Sequence, residues 1–185
     1  MEDIVPELQG LCPIADPLER RLYFAAILTK ALGREGKHLI VVGGQALQFY
    51  TAGAYATADI DFVCPAADKL SEILSTWGFR RQGRHWQHDA LELLVEVPGE
   101  TLAGDPARIT EVEIHGLSAQ IIGIEDLILD GLRAAVHWRS EEDRYWASNL
   151  INANYQTLDW DYLRSQAEAN STARLLAELE AQARA

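Results

Sequence analysis

The chain has 185 residues, 48% of them hydrophobic and 24% charged, which is an ordinary composition for a soluble globular protein. Its formal net charge of −12 argues against a broad DNA- or RNA-binding surface, because such surfaces carry an excess of Lys and Arg. The two cysteines lack metal-ligand spacing, and no signal peptide or membrane-length apolar stretch is recognisable, so we expect a cytoplasmic protein without a membrane partner.

The first predicted helix begins at about residue 16. Asp16 is placed as its N-cap, Pro17 takes the first helical position, and Glu19 completes a capping box. Gly33 or Gly36 is expected to end the helix. Because an apolar strand follows directly, we expect this helix to cover a sheet.

A strand, a glycine pair and a short helix come next. The continuous apolar run 39–42 predicts a buried strand, and the apolar-periodic segment after Gly43 and Gly44 predicts a helix that ends near Gly53. Glycines at a strand-to-helix turn let backbone N–H groups approach an anion such as a phosphate. By itself, a glycine-containing turn of this kind more often has only a structural role.

A second apolar run, residues 58–63, carries two acids. Side chains alternate along a strand, so Asp59 and Asp61 share one face while Ile60 and Phe62 share the other. Two neighbouring carboxylates repel and are costly to bury without compensation, which a divalent cation would supply. Oxygen ligands of this type suit Mg²⁺. Thr57 is a candidate hydroxyl donor to a phosphate or to metal-bound water; alternatively, it simply starts the strand.

The remaining pattern predicts a mixed sheet followed by helices. We expect a helix at 68–77, a hairpin of 79–81 with 84–88, and strands at 91–97, 109–114 and 118–122. The periodicity is helical from 125 onwards, and Ser140 and Asp159 are placed as N-caps of two of these helices. These elements predict an α/β (α+β) fold of about six strands with helices on one side. Its expected domains are 1–124, the sheet domain, and 125–185, a helical bundle.

The order of strand, Gly-Gly, helix and Asp-x-Asp strand resembles the signature of the DNA polymerase β-like nucleotidyltransferase superfamily. The resemblance implies Mg²⁺-dependent transfer of a nucleoside monophosphate from a nucleoside triphosphate, ATP included, to an acceptor. It implies that Asp59 and Asp61 hold the metal and that Gly43 and Gly44 cradle the triphosphate. An Asp-x-Asp motif also occurs in glycosyltransferases, but the chain is short for that fold.

The superfamily carries a third acid on a neighbouring strand, which completes the metal site and often acts as the base. Glu96 is the best match, and Glu92, on the same face of the predicted strand, is its rival. The alternative is that both face solvent. A third carboxylate near the acceptor would take the proton of the attacking hydroxyl, while one or two Mg²⁺ ions neutralise the triphosphate.

Cationic residues near the phosphates are harder to find. No Lys or Arg lies between Gly44 and Asp59, where many members of the superfamily carry one, and this departure leaves a non-catalytic binding module open. Such a module would act through a nucleotide or a protein partner. The nearest basic cluster lies on the predicted hairpin, where Arg84 is the candidate for nucleotide binding. An exposed hairpin rich in arginine is the alternative.

The segment IIGIEDLILDGLRAAVHW resembles the region after the catalytic domain in abortive-infection (AbiEii-like) toxin nucleotidyltransferases. This likeness implies tRNA as the acceptor and a cognate antitoxin as a partner. The small antibiotic-modifying nucleotidyltransferases are the group that the chain resembles next, and this resemblance implies an acceptor such as an aminoglycoside. Glu125, Asp126 and Asp143 match acids of the toxin group but also suit helix N-termini, so no catalytic role is predicted for them.

Overall fold

The computed structural model describes residues 4–184, apart from the side chain of Lys37. The chain divides into two compact units, the first ending at Ile122 and the second beginning at Gly123.

The first unit contains a mixed sheet of seven strands within the described residues. The strands are β1 (Ile40–Val42), β2 (Ile60–Val63), β3 (Arg80–Gln82), β4 (His85–His88), β5 (Leu93–Gly99), β6 (Thr110–Ile114) and β7 (Leu117–Ile121). They follow the order β3-β4-β5-β2-β1-β7-β6, so elements distant in sequence meet at β2. Strand β2 lies in the middle, antiparallel to β1 and parallel to β5. The mixed α/β class predicted from sequence is confirmed.

In the described part of the first unit, three α-helices accompany the sheet: α1 (Pro17–Leu32), α2 (Gly43–Tyr50) and α3 (Ala67–Thr76). The predicted start of α1 is confirmed, because the Asp16 carboxylate accepts the backbone N–H groups of Leu18 and Glu19. Helix α2 begins on the glycine pair itself rather than after it. Short 3₁₀ turns at Pro6–Leu11, Gly33–His38, Asp89–Leu91 and Pro106–Arg108 connect the other elements.

An aromatic core fixes α1 against the central strand. Phe24 of α1 lies with its ring centroid 6.4 Å from that of Phe62 and 5.4 Å from that of Phe79. Ile60 and Phe62 are fully buried, as the predicted alternation of β2 requires. The opposite face of β2 is therefore the one that carries its acids.

Strand β5 differs from its predicted bounds of 91–97, because it runs from Leu93 to Gly99. A 3₁₀ turn occupies its expected start, and Glu92 follows it in the left-handed conformation with φ 51°. The prediction that Glu92 shares a strand face with Glu96 is therefore wrong. At the other end, the β2–β5 register shifts between Asp61 and Val63, and Pro98 is tolerated at this irregularity because no regular ladder bond is required there.

The second unit is helical: α4 (Ile124–His137), α5 (Glu141–Asn154), α6 (Trp160–Ala169) and α7 (Ala173–Ala183). Its predicted caps are confirmed, since Ser140 and Asp159 accept the backbone N–H groups of Asp143 and Tyr162. Helix α4 packs against α5, α6 and α7. Within residues 4–184, no helix combines the length and the apolar character needed to cross a bilayer.

Candidate active site

Strand register brings the predicted acids together. Asp61 of β2 lies directly opposite Glu96 of β5 and, on its other side, opposite Val42 of β1. Directly opposed residues on neighbouring strands project to the same face of a sheet. Asp59, one residue before β2, is close enough to raise the pKa of Asp61, as Glu96 does, so three carboxylates from two segments lie near one another beside the glycine turn. Within residues 4–184, however, Asp61 does not belong to the group of ligand atoms that lie within 4.8 Å of one another.

The glycine pair lies against Asp61. Gly43 has φ 58°, and a Cβ atom at this position would approach Asp61 Oδ2 to 2.4 Å. The Gly44 N–H donates to the Asp61 carboxylate. A Cβ at Gly44 would also crowd the Thr57 hydroxyl oxygen, at 3.1 Å. Glycine is therefore required here both by backbone conformation and by close packing against the acid.

The site carries more negative charge than its nearby hydrogen-bond donors and Arg84 neutralise. Burial, followed by repulsion from Asp59 and Glu96, raises the pKa of Asp61 to about 6, although the Gly44 N–H and Arg84 act in the opposite direction. A carboxylate in this position is stabilised by any cation that binds beside it. The electrostatics of the site therefore fit a divalent cation.

The donor set also fits such an ion. One ligand atom from each of Asp59, His85 and Glu96 lies within 4.8 Å of the others. Carboxylate oxygens are suitable for Mg²⁺ and Mn²⁺, and an imidazole nitrogen is a common ligand of transition metals. His85 was not predicted as a site residue, because its position depends on how β4 pairs with β5.

Glu96 is held from two sides. Arg84 Nε lies 3.2 Å from Glu96 Oε1, and His85 Nε2 lies 3.0 Å from Glu96 Oε2. The Glu96 side chain is 11% exposed, whereas that of Arg84 is 75% exposed. Arg84 therefore lies beside the acids and is engaged with Glu96; its predicted contact with nucleotide stays a prediction.

A cation from α1 anchors the segment before β2. Arg21 Nη1 donates to the Thr57 carbonyl oxygen at 2.6 Å, and the Thr57 hydroxyl donates to Asp59 Oδ1 at 2.5 Å. Burial and then Arg20 lower the pKa of Arg21, and Asp59 opposes them. The Thr57 hydroxyl is thus directed at Asp59. Arg21 was not predicted as a site residue, because it precedes both the glycine pair and the acid pair in the sequence.

Two glutamines of α2 complete the surroundings of Arg21. Gln48 Oε1 accepts from Arg21 Nη1 at 3.3 Å, and Gln45 Oε1 lies 3.5 Å from the same nitrogen. Gln45 is fully buried. Polar residues in an otherwise apolar helix were the sequence signal that could have indicated a buried charged neighbour.

Other candidate residues lie outside this site. Glu92, with its side chain 79% exposed, pairs with Arg20 at 3.2 Å and does not join the acids. Arg80 pairs with Asp89, and Arg81 lies over the Trp86 ring. In the second unit, Glu125 accepts the Asp159 N–H at 3.0 Å, and Asp126 accepts the Tyr162 hydroxyl at 2.6 Å.

Residues 24–184 match the model of a protein family described as "Nucleotidyltransferase of unknown function (DUF6036)". The chain belongs to this family. The match covers the glycine turn, the three acids, His85 and the second unit. The family description agrees with the resemblance of the glycine and aspartate motif to the nucleotidyltransferase superfamily. No curated protein matches the chain.

Proposed function

We propose that this nucleotidyltransferase-family protein transfers a nucleoside monophosphate from a nucleoside triphosphate to an acceptor hydroxyl, with Mg²⁺ bound by Asp59, Asp61 and Glu96. The observation that carries the proposal is the register of Asp61 opposite Glu96 beside the glycine turn. A row of acids that suits a cation then lies next to a turn whose own two residues carry no side chains.

Bound Mg²⁺, as one ion or two, would supply charge neutralisation of the triphosphate and polarisation of its α-phosphate. The N-terminal end of α2 contributes the positive end of a helix dipole, and Gly43 and Gly44 allow the triphosphate to approach the backbone. The raised pKa of Asp61 is consistent with a site that is completed by a bound cation.

In the transfer step, the acceptor oxygen forms a new bond to the α-phosphorus. The bond between that phosphorus and the oxygen bridging to the β-phosphate breaks, and pyrophosphate leaves with the electron pair. Glu96 is proposed to take the hydroxyl proton, since its carboxylate is held in position by Arg84 at 3.2 Å and by His85 at 3.0 Å.

Arg21 supports transfer over the alternative of a non-catalytic binding module. That alternative depended on the absence of a basic residue between Gly44 and Asp59. Arg21 occupies this neighbourhood from α1 and, through Thr57, holds Asp59 in place. We therefore favour an active enzyme and keep nucleotide binding without transfer as an outcome of the test.

Two classes of acceptor are proposed. The helical second unit and its acids favour a toxin-type enzyme, similar to the AbiEii-like group, with tRNA as acceptor and an antitoxin protein as partner. The net charge of −12 favours a small cationic acceptor such as an aminoglycoside, since it would repel a polyanion.

The test offers each α-³²P-labelled nucleoside triphosphate with Mg²⁺ to total tRNA, to an aminoglycoside panel and to the protein itself. We expect label to move to one acceptor with the wild type and with Glu92→Gln, and not with Asp61→Ala. Binding of nucleotide without any transfer would favour the non-catalytic module, and absence of binding would overturn the proposal.

A further inference from the structure

His85 belongs to the same row of side chains as the acids. It lies directly opposite Glu96 in the β4–β5 pairing, while Asp61 lies opposite Glu96 in the β2–β5 pairing. Opposed residues share a sheet face, so the imidazole and the two carboxylates are aligned across three neighbouring strands. The His85 side chain is 30% exposed, which leaves it accessible to an ion from solvent.

The spacing of the donor atoms suits one octahedral ion. Two adjacent ligands at about 2.1 Å from such an ion lie roughly 3 Å apart, and two opposite ligands about 4.2 Å apart. His85 Nε2 and Glu96 Oε2 are 3.0 Å apart. The third ligand atom, from Asp59, lies within 4.8 Å of both. Donor atoms of Asp59, His85 and Glu96 are therefore close enough to one another to converge on a single ion.

Arg84 directs Glu96 toward this arrangement. Its guanidinium lies 3.2 Å from Oε1, which leaves Oε2 beside the imidazole. Asp61, by contrast, accepts the Gly44 N–H and lies against Gly43. The tightest cluster of donor atoms therefore contains a nitrogen where an all-acid site would have a third carboxylate oxygen.

A nitrogen ligand changes which ions bind well. Mg²⁺ prefers oxygen ligands, whereas imidazole is a good ligand for divalent transition metals. These metals also bind sites of mixed nitrogen and oxygen ligands more tightly than Mg²⁺ does. We propose that His85 coordinates the divalent cation together with Asp59 and Glu96, and that this site binds a divalent transition-metal ion of the Mn²⁺ type more tightly than Mg²⁺. The catalytic relevance of this ion rests on the function proposed above; its coordination does not.

The same unit contains a matched control pair. His115 Nε2 lies 2.9 Å from Glu19 Oε1, so the histidine and carboxylate spacing is almost the same as for His85 and Glu96. Within residues 4–184, the His115 pair is not part of a cluster of three ligand atoms. His115→Gln therefore removes an equivalent imidazole without touching the proposed site.

The experiment is a titration of the metal-free protein with Mn²⁺, followed by electron paramagnetic resonance. Pulsed measurements of the bound Mn²⁺ report directly coordinated ¹⁴N. We expect ¹⁴N coupling in the wild type and in His115→Gln, and its loss in His85→Gln. The Mn²⁺ dissociation constant should rise on the order of tenfold in His85→Gln, and the preference for Mn²⁺ over Mg²⁺, measured by competition, should fall.

The inference is overturned if wild-type protein binds no Mn²⁺, if bound Mn²⁺ shows no nitrogen coupling, or if the coupling persists in His85→Gln. Thermal unfolding of each variant checks its folding, and His85→Asn provides a second replacement. Wild-type protein labelled with ¹⁵N at histidine needs no variant: the coupling should change from ¹⁴N to ¹⁵N, and an unchanged ¹⁴N signal would exclude a histidine ligand.

The outcome separates this inference from the proposed function. Nucleotide transfer without nitrogen coupling would overturn the role of His85 and leave the transferase proposal standing. Nitrogen coupling that is lost in His85→Gln, without transfer to any acceptor, would support the metal site and contradict the transferase proposal.

Discussion

Asp61 in the first unit and Asp130 in the second are both acids with a pKa raised by burial, but their neighbours differ. Around Asp61 the next contributions come from Asp59 and Glu96, which raise the pKa further. Around Asp130 the next contributions come from the ion pair with Arg133, which lowers it.

This comparison separates two uses of a partly buried carboxylate. The second unit pairs Asp130 with Arg133 within one turn of α4, so the charge has a partner on its own helix. The first unit aligns like charges from two strands and leaves them near an accessible surface. Unfavourable charge of this kind is typical of binding and catalytic sites.

The largest expected effect comes from neutralising the acid at the centre of the row. Asp61→Asn keeps an oxygen for the Gly44 N–H but removes the charge, so we expect nucleotide transfer to fall by roughly 10²–10³-fold. The rate of label transfer under saturating nucleotide measures it. Glu92→Gln, which alters an exposed pair with Arg20, should change the rate less than twofold, and an equal loss in both variants would contradict the assigned site.

The glycine turn provides the next effect. Gly43→Ala places a Cβ 2.4 Å from Asp61 Oδ2 at a φ of 58°, so we expect transfer to fall by about 10–100-fold as the carboxylate is displaced. Gly33→Ala is the matched control, because Gly33 has φ 66° and open space around the Cβ position. It should lose stability of about 1 kcal/mol without loss of transfer. Equal activity of the two alanine variants would show that contact with Asp61 is unimportant.

We expect Arg21 to hold Asp59 in position rather than to contact the nucleotide itself. Arg21→Met removes the bond to the Thr57 carbonyl and loosens Asp59, so kcat should fall about tenfold while KM for nucleotide changes little. Arg20→Met, at the adjacent position, loses a pair with the exposed Glu92 and should retain kcat. A rise in KM alone would indicate instead that Arg21 binds the nucleotide.

The smallest effect concerns stability in the absence of metal. The folded-state pKa of Asp61 lies above its usual value, so the folded state holds this proton more tightly than the unfolded chain does. Its unfavourable contribution is present above about pH 6 and disappears as the pH falls toward 4. After allowance for solvent screening, Asp61→Asn should raise the free energy of unfolding by about 1–2 kcal/mol at pH 8.

Urea unfolding with a chelator present, at pH 8 and at pH 4, measures this effect. The gain should vanish at pH 4, and Mg²⁺ at pH 8 should stabilise the wild type more than the variant. Asp130→Asn should give no comparable gain, because it also weakens the pair with Arg133. A loss of stability in Asp61→Asn at pH 8 would contradict the charge comparison.

Local signals predicted much of the fold and of the acid motif. The Asp16, Ser140 and Asp159 caps depend on hydrogen bonds within one helical turn, and the alternation of β2 depends on strand geometry alone. Glu96 was also identified, because an acid between apolar neighbours is unusual on a strand. Its convergence with Asp61 is a matter of register, which the structure supplied.

Two of the missed features depend on contacts between distant segments, and a third depends on a local turn. Arg21 reaches Thr57 from a helix that precedes the motif, and His85 reaches Glu96 only through the pairing of β4 with β5. Glu92 was placed on the strand because its neighbours alternate, but a left-handed residue after a 3₁₀ turn interrupts the pattern there. Periodicity in the sequence contains no information on such long-range pairings.

The most direct test of the account compares label at two positions of the same nucleoside triphosphate. With α-³²P the label should appear on the acceptor, and with γ-³²P it should appear in pyrophosphate, in the wild type but not in Asp61→Asn. Transfer of the γ-label to the acceptor, or an α-label transfer that survives in Asp61→Asn, would contradict nucleotidyl transfer at the acid row of β2 and β5.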